Sequence, residues 1–211
     1  MDNSESRSFS APLSSASGRL VFRRGAANLD LNSSAEIQGL YTADFSEPIP
    51  DVKVIGNTVE VTYRHNMSDW LKGWWAKDRT AARVSLTRSI PWQIEFRGGL
   101  SHLNADLSAL NLQSFAFIGG ASNVEVLLPK VNGALPVSIT GGASHIKLVH
   151  PAEVGVKLHV VGGAAKITLG EQYIGAIGGE IILQTPGYKE ASGHIDVSIK
   201  GGVSDVAVAS A

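Results

Sequence analysis

His102, Asn123 and His145 are the residues whose types and spacing most invite chemistry. Each stands three residues after the second glycine of a Gly-Gly pair. A His–Asn–His column suggests metal ligation. If each pair marks one coil of a stack, however, His102 and His145 lie two coils apart, ~9.6 Å along the stack. A single ion held ~2.0–2.1 Å from each ring nitrogen needs a closer pair, and Asn123 between them is a weak ligand. Asn and His also tolerate the left-handed backbone of tight turns, so the column is expected to be turn residues with solvated side chains. His159 is expected outward on a strand, His150 at a strand end before Pro151, and His65 and His194 in irregular segments. All four are expected to be surface histidines, and no HExxH accompanies them.

Nucleophile and phosphate motifs are missing too. The Gly-Ala-Ser stretches do not complete G-x-S-x-G, because Ser122 precedes Asn123-Val124 and Ser144 precedes His145-Ile146. Ser144 and His145 are strand neighbours, so their side chains leave on opposite faces. There is no G-x-x-x-x-G-K-[ST] loop and no G-x-G-x-x-G after a strand. Asp44 and Asp106 are a conceivable carboxylate pair, but no spacing brings them together. No cofactor or metal site is expected, and the chain is read as a non-enzyme.

The elements that must position these residues follow from composition and repeats. The 211 residues suit one large all-β domain with a sizeable core. Hydrophobic residues make up 44 %, only 18 % are charged, and 23 are Gly, a balance that favours strands and tight turns over disorder. The formal charge of -1, without a basic block, argues against nucleic-acid binding. Cys is absent, which excludes disulfides and thiol chemistry. The N-terminal MDNSESRSFSAPLSSASG does not read as a secretory signal, and no stretch approaches the ~18 apolar residues of a membrane span. The chain as given is expected to be soluble and cytoplasmic, with peripheral membrane contact an open option.

Gly-Gly occurs at 98–99, 119–120, 141–142, 162–163 and 201–202, with another pair at 178–179 off the beat, and Arg24-Gly25 begins an earlier copy. Aligning on these pairs produces apolar columns. Leu20, Ile94, Phe115, Val137, Leu158 and Val197 precede the turn, and Leu29, Leu103, Val124, Ile146, Ile167 and Val206 follow it. A second apolar column lies two residues beyond each. Alternation of this kind marks strands with one buried face. Glu95, Ala116, Ser138, His159 and Ser198, then Asn104, Glu125, Lys147, Thr168 and Ala207, are the intervening outward positions. Each unit is thus strand, glycine corner, strand, connection. Such 21–22-residue units suit the coils of a β-solenoid, with an antiparallel β-sandwich as the alternative.

The remaining segments decorate this frame. Residues 1–6 read as a disordered tail and 7–211 as one solenoid domain, with SFSAPL (8–13) as an edge strand. VKVIGNTVEVTYRH forms a hairpin about Gly56-Asn57, ARVSLTRSIPW leads into the first regular coil, and 170–195 breaks the period as an irregular loop. The insertion at 66–80, NMSDWLKGWWAKDRT, holds three of the four tryptophans. Helical spacing would gather Trp70, Leu71, Trp74 and Trp75 on one face, with Ser68 as cap and Lys72, Lys77, Asp78 and Arg79 opposite. That face reads either as a lid over an open solenoid end or as an aromatic anchor for a partner, a glycan or a membrane interface.

DLSALNLQSFAFIGGASNVEVLLP, PVSITGGASHIKLVHP and IDVSIKGGVSDVAVA resemble the bacterial putative-adhesin, or toastrack, β-solenoid domains. They are especially similar to the C-terminal domain of cell-wall-active-antibiotic response proteins. The resemblance spans roughly 18–210 and implies an all-β, non-catalytic domain tied to envelope-stress sensing or adhesion. The family's corner acid is retained only at Asp205; Asn28, His102, Asn123, His145 and Lys166 stand at the other corners.

The expected function is a non-enzymatic interaction or scaffold module. It would have a protein partner or self-associate, and Trp70, Trp74 and Trp75 would act as apolar anchors with Lys72 and Arg79 as flanking charges. Two alternatives stay open: a glycan- or small-molecule-binding protein or hydrolase with a site near 170–195, and a self-associating structural unit.

Overall fold

The structure, a computed structural model, describes residues 6–63 and 82–211. Seventeen strands among these residues join one continuous sheet that is folded at the glycine corners into two walls. Before the corner run β2 (Gly18–Arg23), β6 (Thr58–Thr62), β8 (Trp92–Arg97), β10 (Leu112–Ile118), β12 (Gly133–Thr140) and β16 (Gly193–Lys200). After it run β3 (Ala26–Ser34), β7 (Ala82–Thr87), β9 (Leu100–Asp106), β11 (Ala121–Leu127), β13 (Ala143–His150) and β17 (Val203–Ser210). β14 (Gly155–Leu169) spans both walls in one strand. Pairing between neighbouring coils is parallel throughout this set, so the architecture is a β-solenoid rather than a sandwich.

The coils do not stack in the order of the chain. The first wall runs β6, β2, β8, β10, β12, β16, β14, and the second runs β7, β3, β9, β11, β13, β17, β14. The N-terminal coil is therefore threaded between two later ones, and the C-terminal coil sits between 133–150 and 155–169. The 39-residue step between Gly162 and Gly201 reflects this detour.

Both ends of the stack finish on antiparallel strands. At the N-terminal end, β4 (Gly39–Ser46) pairs with β7, β5 (Asp51–Ile55) with β6, and β1 (Ser6–Pro12) lies on β4. β1 begins at Ser6, one residue inside the tail expected to be disordered. At the other end, β15 (Gln172–Gln184) follows β14 backwards through the corner, Gly179 opposite Gly162 and Gly178 opposite Gly163. Most of 170–195, expected to be irregular, is thus strand. Its alternation Ile174, Ile177, Ile181, Leu183 follows the inner face of β14, and only the turn at 170–171 and residues 185–192 lie between strands.

All the apolar columns named from the sequence are buried. Phe22, Phe96 and Phe117 stack on successive coils, with ring centroids 5.1 and 5.4 Å apart. Leu107, Leu110, Leu128, Leu135 and Val154, on or beside the connections, join the same core cluster. Fully burying each such aliphatic contributes ~1.5–3 kcal/mol, and the parallel ladders leave few backbone groups unpaired.

Candidate interaction face at the glycine corner

The corner is built from two backbone devices. In each pair the first glycine has positive φ, +125° at Gly119 and +116° at Gly141. A Cβ on Gly119 would fall 2.5 Å from the Gly98 carbonyl oxygen, and one on Gly141 would fall on that of Gly119. Only glycine lets coils approach so closely while the chain turns. Hydrogen bonds run straight through the turn, with Gly119 N–H donating to Thr140 O at 2.8 Å and Ala121 N–H to Gly142 O at 2.9 Å.

Three residues on, the chain bulges. Pairing steps from Ser122↔Ser144 to Val124↔Ile146, leaving Asn123 and His145 out of register. Asn28, His102, Asn123, His145, Asp205 and Lys166 all adopt left-handed φ of 51–57°. Asn, Asp and His tolerate that conformation best among residues with a Cβ. The coils carry these six side chains in that order, ~4.8 Å apart. Asn28, His102, Asn123 and His145 line one open groove of about 460 Å³. A second groove runs beside it over the glycines, floored by small residues including Ser101, Ser122 and Ser144.

The charges here are largely answered by one another. Lys147 Nζ donates to Glu125 Oε1 at 2.7 Å, the cross-coil pair expected from the columns. His145 Nε2 lies 3.5 Å from Asp205 Oδ2. Among the described residues no three His, Asp or Glu come together as a metal site. His102 and His145 sit on coils separated by that of Asn123, as the spacing predicts. Asp44 and Asp106 are not brought together either. Asp44 accepts from Ser8 at 2.5 Å on the N-terminal cap, and Asp106 accepts from Ser108 at 2.6 Å at a strand end.

Three polar groups depart from the sequence expectation. Glu95, expected outward, is buried, with Arg19 and Arg97 each 2.5 Å from its carboxylate. Burial pushes its pKa up, but the hydrogen bonds and charge of the two guanidiniums outweigh this and hold it below the usual carboxylate range. His150, expected at the surface, is buried where β13 turns at Pro151, and its Nδ1–H donates to the Pro151 carbonyl at 2.9 Å. It lines a cavity together with Glu153, Glu190 and Thr185, beside the segment of the alternative site near 170–195.

The third group joins Lys157, Tyr188, Asp196 and His194. Tyr188 Oη–H donates to Asp196 Oδ1 at 2.7 Å, Lys157 Nζ lies 2.9 Å from the same oxygen, and His194 Nε2–H donates to the Tyr188 carbonyl at 2.7 Å. Burial raises the Asp196 pKa, and the bonds from Lys157 and Tyr188 more than reverse it. Lys157 is held above its ordinary value chiefly by Asp196. The 39-residue offset between Gly162 and Gly201 would have aligned Lys157 with Asp196; nothing in the sequence pointed to Tyr188.

Trp70, Trp74, Trp75, Lys72 and Arg79 lie outside the described residues, as does His65. Their segment joins β6 to β7. No helix among the described residues is long and apolar enough to cross a membrane.

A protein family and a solved structure agree with this architecture. The chain is similar in fold to a putative cell adhesion protein from Clostridium sporogenes, with TM-score 0.70 and 20 % identity over 99 % of this chain and 100 % of that one. A putative adhesin from Bacteroides fragilis aligns over 100 % of this chain and 98 % of that one, at 11 % identity and TM-score 0.34. No curated protein matches the chain. The family described as the N-terminal domain of toast_rack, DUF2154, matches residues 2–149, and the chain belongs to that family.

Proposed function

We propose that this protein is a non-enzymatic interaction module that holds an extended, polyhydroxylated polymer, a cell-surface glycan in chemical class, along the corner face. The carrying observation is the ladder of Asn28, His102, Asn123 and His145, presented from four successive coils into one open groove. Their amides and imidazoles donate and accept hydrogen bonds at a fixed repeat, the chemistry that reads hydroxyl groups. Of the neighbouring charges, Lys147 and Glu125 answer one another, which leaves fewer fixed charges on the face to attract an ionic ligand. The name of the Clostridium sporogenes protein that shares the fold, a putative cell adhesion protein, accords with a surface-binding role, and a link to the bacterial envelope or its stress response is part of the same proposal. The tryptophans at 70, 74 and 75, flanked by Lys72 and Arg79, are proposed as a second, apolar contact for the same partner.

The test is co-sedimentation with purified, insoluble bacterial cell-wall polysaccharide. Wild type is compared with a His102→Gly/Asn123→Gly/His145→Gly variant, in which glycine suits the left-handed backbone and leaves the fold intact. At least a tenfold loss of binding with an unchanged or raised melting temperature is expected. Equal binding by both proteins, or binding by neither, sinks the corner-face reading. A Trp74→Ala/Trp75→Ala variant that keeps its β-sheet spectrum separately checks the aromatic contact, with weaker retention expected.

A further inference from the structure

A cavity of about 620 Å³ lies among the strand ends farthest from the glycine corner. Three connections border it. Residues 150–155 lead from β13 to β14, the turn at 170–171 leads from β14 to β15, and a strap, 185–192, leads from β15 to β16. Thr185 pins the strap at its start. Its N–H donates to the Val156 carbonyl at 2.9 Å, and its Oγ1 accepts from the Val156 N–H at 2.9 Å. Tyr188 ties the strap to Asp196 at 2.7 Å. Gly155 lets it lie close, since a Cβ there would fall 3.0 Å from the Tyr188 backbone and 3.1 Å from the Ala191 Cβ. The strap wall is thus fixed before any ligand arrives, which lowers the cost of binding.

The chemistry of the lining is one-sided. His150 is only 4 % exposed. Its Nδ1–H donates to the Pro151 carbonyl at 2.9 Å, which leaves Nε2 as an acceptor. That nitrogen meets no donor among the described residues, and its ring lines the cavity. Glu153, Glu171 and Glu190 line it too. Lys130 lies 2.9 Å from the Glu153 carboxylate, whereas those of Glu171 and Glu190 have no ion pair or hydrogen bond among the described residues. No Lys or Arg is in the lining, Lys189 on the strap included.

We propose that this cavity binds an aliphatic polyamine. A buried acceptor and two unpaired carboxylates call for a cation that carries N–H donors. No three of the described His, Asp and Glu side chains converge enough to hold a metal ion, so the positive charge must come from a molecule long enough to reach them one by one. Ammonium groups joined by methylene runs have that form. Each ammonium donates to a carboxylate or to His150 Nε2, and the methylenes lie on the apolar lining of Val154, Leu169 and Ala191. The volume is that of a small-molecule site, roughly 300–1,000 Å³. The site is separate from the corner face and does not depend on what that face holds.

The test is calorimetric titration of the full chain with spermidine at ~0.15 M salt, where exposed charges more than about 8 Å apart are largely screened. A saturable 1:1 isotherm is expected, at least tenfold tighter than that of the monoamine n-butylamine. Glu171→Gln/Glu190→Gln breaks no contact, so it should keep the wild-type melting temperature and bind spermidine at least tenfold more weakly. Glu36→Gln, at the other end of the stack, should bind as wild type does. The imidazole supplies a second readout: the His150 Nε2 resonance should move with spermidine and stay in place with magnesium chloride of equal ionic strength. Absence of saturable binding overturns the proposal, as does equal binding by the Glu171→Gln/Glu190→Gln variant or a His150 resonance that spermidine does not move. Equal affinity for n-butylamine, or tighter binding of an end-blocked trilysine peptide, overturns a free polyamine as the ligand.

Discussion

The two ends of the solenoid solve one problem differently. A stack of coils leaves a layer of core and a row of unpaired backbone groups at each end. At the N-terminal end, β4 and β5 run back over the first coil and β1 adds a further strand. Phe45 is fully buried there, edge-on to Phe9 with centroids 5.7 Å apart and to Tyr63 at 6.4 Å. At the C-terminal end, β15 supplies one layer of aliphatics, and no described residue forms a strand beyond it. One end is finished with aromatics and an outer strand, while the other is finished with a bare strand. End closure is therefore a property of the added strands, since the coils beneath are alike.

This contrast can be broken or sharpened by substitution. The largest effect is expected from Phe45→Ala, which opens a cavity in the closed end and should cost about 3–5 kcal/mol. Ile181→Ala at the open end should cost about 1 kcal/mol, since that side chain is only partly covered. Urea midpoints for the two variants measure the difference, and equal losses would mean that the ends are equally packed. Next come the corner glycines. Gly25→Ala drives a Cβ into the Gly99 carbonyl and combines that clash with a φ of +93°, whereas Gly179→Ala meets only the strain of φ +109°. We expect about 3 kcal/mol or more for the first and about 1–2 kcal/mol for the second, read by thermal unfolding.

Acid should distinguish the ends less strongly. Glu95 near the N-terminal end and Asp196 near the other both have folded pKa values below their unfolded ones. The stability each contributes is present above the unfolded carboxylate pKa and is lost as pH falls through the folded value. Glu95→Gln and Asp196→Asn should each flatten the acid limb of the stability–pH curve, Glu95→Gln more so because two guanidiniums lose their partner. Lys157, raised by Asp196, has the opposite sign: its contribution is full below the unfolded lysine pKa and fades as pH rises through the folded one. The smallest expected effect is in the middle of the stack, where Asn123→Gly relieves a left-handed residue and should be neutral or stabilising by up to ~1 kcal/mol.

How much of this was legible in the sequence depends on what each feature rests on. The columns through Leu20, Phe22, Leu29 and Leu31 were readable because alternation reports burial directly. The left-handed corner was readable because Asn, Asp and His recur at one offset from paired glycines. Glu95 was misread because its column otherwise holds small or polar residues, and its burial comes from Arg19, seventy-six positions away. β15 was misread as irregular because Gly175, Gly178 and Gly179 resemble a turn, whereas in space they follow the bend of β14. Stacking order was not legible, because parallel coils of equal period fit one another in several sequences.

That stacking order bears on how the chain can be shortened. Repeat arrays in which each unit touches only its sequence neighbours lose stability one unit at a time when trimmed from a terminus. Here 193–210 is a keystone between 133–150 and 155–169. Deleting it removes an inner layer, leaving β14 and β15 stranded beyond a gap. The same arrangement means that the C-terminal half of the stack cannot close until 193–210 has been made, so during synthesis the edges of β13 and β14 stay open until late, a topology of long-range contacts that slows folding.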